Sequence, residues 1–261
     1  MKLGIIIPAY NEEKRIGKTL ECYIKFFNEM SRQKKFDCKI LVVINGTTDN
    51  TRLIVKEIIK KQKIVDYLNF EQGGKGFAII EGFKEFLKED FDLIGFVDAD
   101  MATSPESFYE LVKNIKGYDG IIGSRWMKKS VVSKRVILRT VMSRGFNFIV
   151  RSLFLINYND TQCGVKIFKR KIIEELTPKV YSTEWAFDVN LLYLCKKHKF
   201  KIKEYPTIWE DQKNSKIEII KTPIQMFAGV VRLRLMHSVF EPLLRPIKFI
   251  LLIGDKLINK K

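Results

Sequence analysis

Apolar residues in the first half of the chain fall in short runs, and the stretches between those runs are amphipathic. KLGIIIPAY (2–10) carries an apolar run closed by Pro8, and CKILVVI (38–44), IVDYLNF (64–70), DLIGFV (92–97) and GIIG (120–123) repeat the pattern. Such runs, rich in Ile, Val and Leu, predict buried strands. Residues 12–30 set Ile16, Leu20, Ile24 and Phe27 at helical spacing, and further helices are predicted over 50–61 and 75–89. Ser104-Pro105-Glu106 predicts another helix start, with Ser as N-cap and Pro in the first turn. Strand alternating with helix predicts the α/β class: a largely parallel sheet covered by helices.

The second half is less regular. Residues 134–156 predict a long helix, apolar with embedded Arg, and VKIFK (165–169) a strand. A helix over 184–198 and a strand at KIKEYP (201–206) follow. Two helices that mix apolar and basic residues are expected over 222–240 and 243–258, punctuated by Pro223, Pro242 and Pro246. The expected organisation is one domain over 1–220 and a basic amphipathic extension over 221–261.

Charge sharpens this division. The chain has 261 residues and a formal net charge of +17. Residues 1–119 balance 19 basic against 19 acidic side chains, whereas residues 120–159 hold eight basic and no acidic ones. Residues 212–261 hold ten basic and three acidic. A Lys-rich composition alone would not leave the first half neutral. The excess predicts an anionic partner: nucleic acid, a phosphorylated small molecule or a lipid surface. A hydrophobic content of 46% excludes a disordered chain. Four scattered cysteines without a CxxC pair point to reduced thiols rather than zinc or disulfides. No run is long enough for a membrane span, and the N-terminal apolar run is too short for a signal peptide.

Candidate chemistry collects where strands are predicted to end, which is where open parallel sheets bind ligands. Pro8-Ala9-Tyr10-Asn11-Glu12, Asn45-Gly46-Thr47-Thr48-Asp49, Asp98-Ala99-Asp100 and Gly123-Ser124-Arg125 each follow a strand. Asp98 and Asp100, two apart after an apolar run, suit a hard divalent cation beside a diphosphate. Gly73-Gly74-Lys75-Gly76 opens a helix whose N–H groups, with Lys75, suit phosphate, although it lacks the Walker spacing. Arg135, Arg139 and Ser143 share one helix face.

PAYNEE, NGTTDNT, GGKG, DAD, GSRW and DTQCGVKIF stand in this order over residues 8–168. This ordered set resembles the family 2 glycosyltransferases of GT-A fold, in the branch of dolichyl-phosphate glucosyltransferases and dolichyl-phosphate mannose synthases. The resemblance implies an inverting transfer of a hexose, glucose favoured, from UDP-glucose or GDP-mannose to dolichyl or another polyprenyl phosphate, with Mg2+ or Mn2+. It implies that Pro8, Tyr10, Glu12 and Lys75 line the nucleotide pocket, that Asp98 contacts the nucleotide-sugar, and that Asp100 holds the metal with Asp98. It implies lipid-phosphate contacts from Arg125, Arg139 and Ser143, and a sugar or acceptor pocket bordered by Asp160, Gln162, Trp185 and Asp188. Ser215-Lys216 resembles a late element near the diphosphate. Two departures stand out. Ile44 and Asn45 replace an acidic pair, so base reading would fall to the Asn45 amide. Asn190 stands where the family usually has Glu, leaving Asp188 as the carboxylate of that stretch.

A phosphate acceptor is mostly dianionic near neutral pH and needs positioning rather than a strong base. That agrees with an expected surface or core role for His198 and His237. Two other readings compete: a transferase with a non-lipid glycan acceptor, and a basic nucleic-acid-binding module. The latter lacks a recognisable motif and spaced stacking aromatics. No nucleic-acid partner is therefore expected, and two placements are open for the basic apolar helices: on an anionic membrane surface, at its cytoplasmic face, or packed on the core of the domain.

Overall fold

The computed structural model describes residues 1–33, 36–133, 137–181, 186–210 and 221–238, with the backbone alone at residues 139 and 221–224. In chain order the first half runs β1 (Lys2–Ala9), α1 (Ile16–Arg32), β2 (Asp37–Asn45), α2 (Thr51–Ile59), β3 (Val65–Phe70), α3 (Lys75–Phe86), β4 (Leu93–Phe96), α4 (Pro105–Lys113) and β5 (Gly120–Ser124). The second runs β6 (Val131–Val132), α5 (Ile137–Phe154), β7 (Lys166–Lys169), α6 (Arg170–Leu176), α7 (Phe187–Lys197), β8 (Ile202–Pro206), β9 (Ile208–Trp209) and α8 (Lys221–Met236).

Seven strands form one sheet in the order β3-β2-β1-β4-β7-β5-β8. All neighbours are parallel except β7, which runs antiparallel to both β4 and β5. β6 and β9 make a separate two-stranded parallel ladder. The apolar runs are continuous because both sheet faces are covered. Ile5, Ile7, Ile40, Val42 and Ile44 enter one core with Leu20, Tyr23 and Phe27 of α1. Ile6, Leu41 and Val43 enter the other with Ile79 and Phe83 of α3 and Leu191 of α7.

Most expected elements are present within a few residues, and α4 starts as anticipated: Ser104 Oγ accepts from Ser107 N at 3.3 Å, with Pro105 in the first turn. Two features were not anticipated: α6 follows β7 without a break, and β6 and β9 form a small ladder. α8 packs on the domain: Val230 and Leu233 are fully buried in a third core with Val150 and Phe154 of α5 and Val189 of α7. The helix expected over 243–258 lies outside the described residues.

Candidate active site

The chain leaves β1 for β2 and β3 on one side, then returns to place β4 on the other. The β1–β4 boundary is therefore the point where the winding reverses, and a crevice opens there beyond the strands' carboxyl ends. Pro8, Ala9 and Asn45 are at the carboxyl ends of β1 and β2, and Tyr10 and Asp98 lie just beyond β1 and β4.

Much of the polar sequence here holds loops together. Asn11, at φ 51°, accepts on Oδ1 from Thr48 N at 2.8 Å, and its own N–H donates to Thr47 Oγ1 at 3.2 Å. Glu12 N donates to Thr51 Oγ1 at 2.7 Å, and Glu13 N to Asp49 Oδ2 at 3.1 Å. The NGTTDNT block thus fastens the loop after β2 to the loop after β1. The Glu12 carboxylate is clamped by Arg15 Nε and Nη2, both at 2.7 Å. Tyr10 is exposed at the crevice edge and Pro8 is half-buried.

Asn45 has a different task from the base reading expected of it. It is 2% exposed, and with its amide nitrogen toward Ala9, Nδ2 donates to Ala9 O at 3.0 Å. Oδ1 accepts from Gly74 N at 2.9 Å. Both edges of the amide tie backbone to backbone, so Asn45 sets the spacing of β1, β2 and the N-terminus of α3. Gly46 (φ 59°) lets the same loop pass close to Gly73: a Cβ there would lie 3.0 Å from Gly73 Cα.

Lys75 opens α3, and its Nζ pairs with Asp98 Oδ1 at 2.5 Å. Burial alone would lower the ammonium's pKa; the carboxylates of Asp98, Asp188 and Asp100 outweigh it and hold it above the ordinary lysine value. Asp98 rests on the DTQCG turn, where a Cβ added at Gly164 would sit 1.8 Å from Asp98 Oδ2. Only glycine leaves room for that carboxylate. Asp100 accepts on Oδ1 from Ala102 N at 3.0 Å. Its carboxyl is raised by burial and then by the neighbouring Asp98 charge.

Asp188 is 8% exposed in the first turn of α7, with Oδ1 2.6 Å from Lys166 Nζ. Pattern reading did not mark Lys166 as functional, although a lysine inside the apolar run VKIFK was the available signal.

Arg125, to which the resemblance gives a lipid-phosphate contact, is held by a carboxylate in this structure. Its Nε and Nη2 form a bidentate pair with Asp160 at 2.6 and 2.9 Å, and its backbone N donates to the same carboxylate at 3.0 Å. The two side chains are 9% and 2% exposed, and the Trp126 and Trp209 rings lie 5.6 and 5.5 Å from the guanidinium. Burial would raise the Asp160 carboxyl, but Arg125 outweighs it and holds it below the usual range. Arg125 therefore organises the DTQ turn. Gln162, half-buried, donates its backbone N–H to Asp160 Oδ1 at 3.3 Å.

Ser143 is half-buried on α5, and Arg139 lies on the same helix, its side chain outside the description. Arg135, Trp185, Ser215 and Lys216 are outside the described residues. Both histidines lie elsewhere: His198 contacts Glu175, and His237 Nε2 meets Asn190 Oδ1 at 3.0 Å. Among the described residues no group of three or more His, Cys, Asp or Glu is arranged to hold a metal by itself.

Comparison with known proteins agrees with this geometry. The profile of Glycosyl transferase family 2 matches residues 4–177. The Dolichyl-phosphate beta-glucosyltransferase of Dictyostelium discoideum is 34% identical over 245 residues, covering 89% of this chain and 73% of that protein. The Saccharomyces cerevisiae protein of the same name is 29% identical over 255 residues, covering 90% of this chain and 75% of that one. Glucosyl-3-phosphoglycerate synthase from Mycobacterium tuberculosis, solved with Mn2+, UDP-Glc and phosphoglyceric acid, superposes with a TM-score of 0.67 at 15% identity, over 91% of this chain and 81% of that one. At that identity the likeness concerns the fold. The apolar runs, the reversal of winding and the ordered motifs around it agree with these matches: the chain belongs to glycosyl transferase family 2 and has the GT-A fold.

Proposed function

We propose that this protein transfers glucose from UDP-glucose to a dolichyl-type polyprenyl phosphate, giving a β-linked lipid-phosphate sugar. The observation that carries the reading is the constellation at the crevice, where the Lys75–Asp98 pair stands over Gly164 with Asp100 beside Asp98. The glucose donor and lipid acceptor are supported by the names of the relatives, which favour glucose over mannose.

The donor set fits a divalent ion. Asp98 and Asp100 are neighbouring carboxylates, and Asp100 is pushed toward protonation by burial and then by the Asp98 charge, both of which a cation would offset. Two carboxylates with the remaining positions left to phosphate and water is the usual arrangement for Mg2+. A bound Mg2+ or Mn2+ would supply charge neutralisation for the departing diphosphate.

The chain's own groups would do the rest. Lys75 supplies a fixed positive charge at the N-terminus of α3, where backbone N–H groups also favour phosphate. Asp188 and Gln162 would face the sugar, with Trp185. Arg139 and Ser143 would hold the acceptor phosphate. That phosphate is already a competent nucleophile, so the absence of histidine from the crevice is no obstacle.

A peripheral position on an anionic membrane surface is supported by the outward face of α5. Ile137, Leu138, Val141 and Phe148 are all more than half exposed there, as is Leu155 just past its end. Arg144, which stacks 5.0 Å from the Trp126 ring, and Arg151 flank that face without carboxylate partners among the described residues. Apolar residues flanked by arginine on one helix suit an interface with anionic headgroups. Among the described residues no helix is long and apolar enough to cross a membrane. We place this surface on the cytoplasmic leaflet, in keeping with four unpaired thiols.

An acceptor comparison tests the reading. With UDP-glucose as donor, polyprenyl phosphate in vesicles should be glucosylated and 3-phosphoglycerate should not. Transfer to 3-phosphoglycerate alone would overturn it in favour of a soluble acceptor.

A further inference from the structure

Lys166 is the one lysine fully buried among the described residues. It sits on β7, in register with Phe96 on β4 and Ile122 on β5, both of them core residues. An ammonium ion at the centre of a sheet is costly to desolvate and persists only when its donors are matched. Here Nζ donates to Asp188 Oδ1 at 2.6 Å and to Cys163 O at 2.7 Å, with the Phe96 ring centre 5.5 Å away. A methionine would fill the same space without the charge, so packing alone does not call for lysine.

Its two partners lie on different parts of the crevice. Asp188 belongs to α7, and its negative charge is among those that keep Lys75 protonated. Cys163 precedes Gly164, whose missing side chain makes room for Asp98. Lys166, Asp188, Lys75 and Asp98 thus alternate in sign from the core to the crevice, and one buried ammonium links the α7 carboxylate to the turn beneath Asp98.

We propose that Lys166 is a positioning residue: it holds Asp188 and the Cys163–Gly164 turn in the one relative placement at which Asp98 and Asp188 both meet the donor sugar. The inference rests on the proposed roles of Asp98 and Asp188. Its consequence is kinetic. Loss of the ammonium displaces groups needed at the reacting carbon, and a displacement of about 1 Å can lower turnover roughly 100-fold. The diphosphate contacts at Lys75 and α3 remain, so donor affinity is little changed.

The test is steady-state kinetics on the full chain with UDP-glucose and polyprenyl phosphate, comparing Lys166→Met, Asp188→Asn and the double variant, with thermal melts to show that each is folded. Lys166→Met should lose at least about tenfold in kcat while KM for UDP-glucose moves less than about twofold. The double variant should be no slower than the slower single variant, because the two groups act as one unit. Should Lys166→Met not fold, Lys166→Gln, which keeps a donor toward Cys163 O, takes its place with the same expectation. Wild-type kcat in a folded Lys166 variant beside a slow Asp188→Asn overturns this inference alone, as do losses that multiply in the double variant. Wild-type kcat in Asp188→Asn overturns the reading of Asp188 and this inference with it.

Discussion

Replacing Asp160 by Asn should unsettle the protein far more than any surface change. The substitution keeps the side chain's shape but removes the charge that faces the Arg125 guanidinium, now left in a site where the two side chains are 9% and 2% exposed. Breaking a buried pair from one side costs about 3–5 kcal/mol, because the remaining ion has no partner and no water. At about 2–4 °C per kcal/mol for a domain near this size, Tm should fall by roughly 6–20 °C. Lys39→Ala, which removes an exposed partner of Glu89 at 3.1 Å, should cost less than about 1 kcal/mol. The effect also has a pH signature. Arg125 holds the folded Asp160 carboxyl below its unfolded value of about 3.9, so the pair's contribution is full above that value and is lost as pH falls through the lower folded one. Melts of wild type and Asp160→Asn should therefore stay apart from pH 7 down to about pH 4 and converge only in stronger acid. A Tm loss under about 2 °C at pH 7, or convergence near pH 6, would refute the buried-pair reasoning and return Arg125 to the role of an open anion ligand.

Further outcomes follow from the same geometry. Gly164→Ala should push Asp98 aside and lower kcat/KM by roughly 100-fold while the fold survives; near-normal activity would mean that the turn gives way easily. Asp100→Ala should abolish the dependence of transfer on added Mg2+ or Mn2+ along with the activity, and unchanged turnover in a metal titration would remove Asp100 from that role. Phe148→Glu, on the exposed face of α5, should weaken co-sedimentation with anionic vesicles without altering Tm; undiminished retention would contradict the membrane face.

Strands buried on both faces were legible because nothing else tolerates runs like IIIPA or ILVVI, and the α4 start was legible because Ser and Pro act locally. Strand direction was not. VKIFK reads alike whichever way it runs, and the reversal of β7 follows from long-range pairing with β4 and β5. α6 has only seven residues and no boundary signal at Lys169-Arg170, so no helix was expected between the strand at 165–169 and the helix over 184–198. At the site, Asp98 and Asp100 stood out because the two lie together in the sequence. The pairing of Arg125 was not legible for the opposite reason: it lies in an acid-free segment, and its carboxylate partner is 35 positions away. The backbone contacts of Asn45 were hidden likewise, because an amide at a strand end gives no hint that both its edges are engaged by backbone. What reads well is what neighbours in sequence decide; what fails is what a distant segment completes.

Glucose transfer to a lipid phosphate is tested by offering this chain UDP-glucose, GDP-mannose and UDP-GlcNAc in turn, each with polyprenyl phosphate in vesicles and a divalent metal, and following label into the lipid fraction. A glucosyl lipid phosphate made from UDP-glucose should be the dominant product. Mannose transferred from GDP-mannose in its place, or no lipid product from any donor, would contradict it.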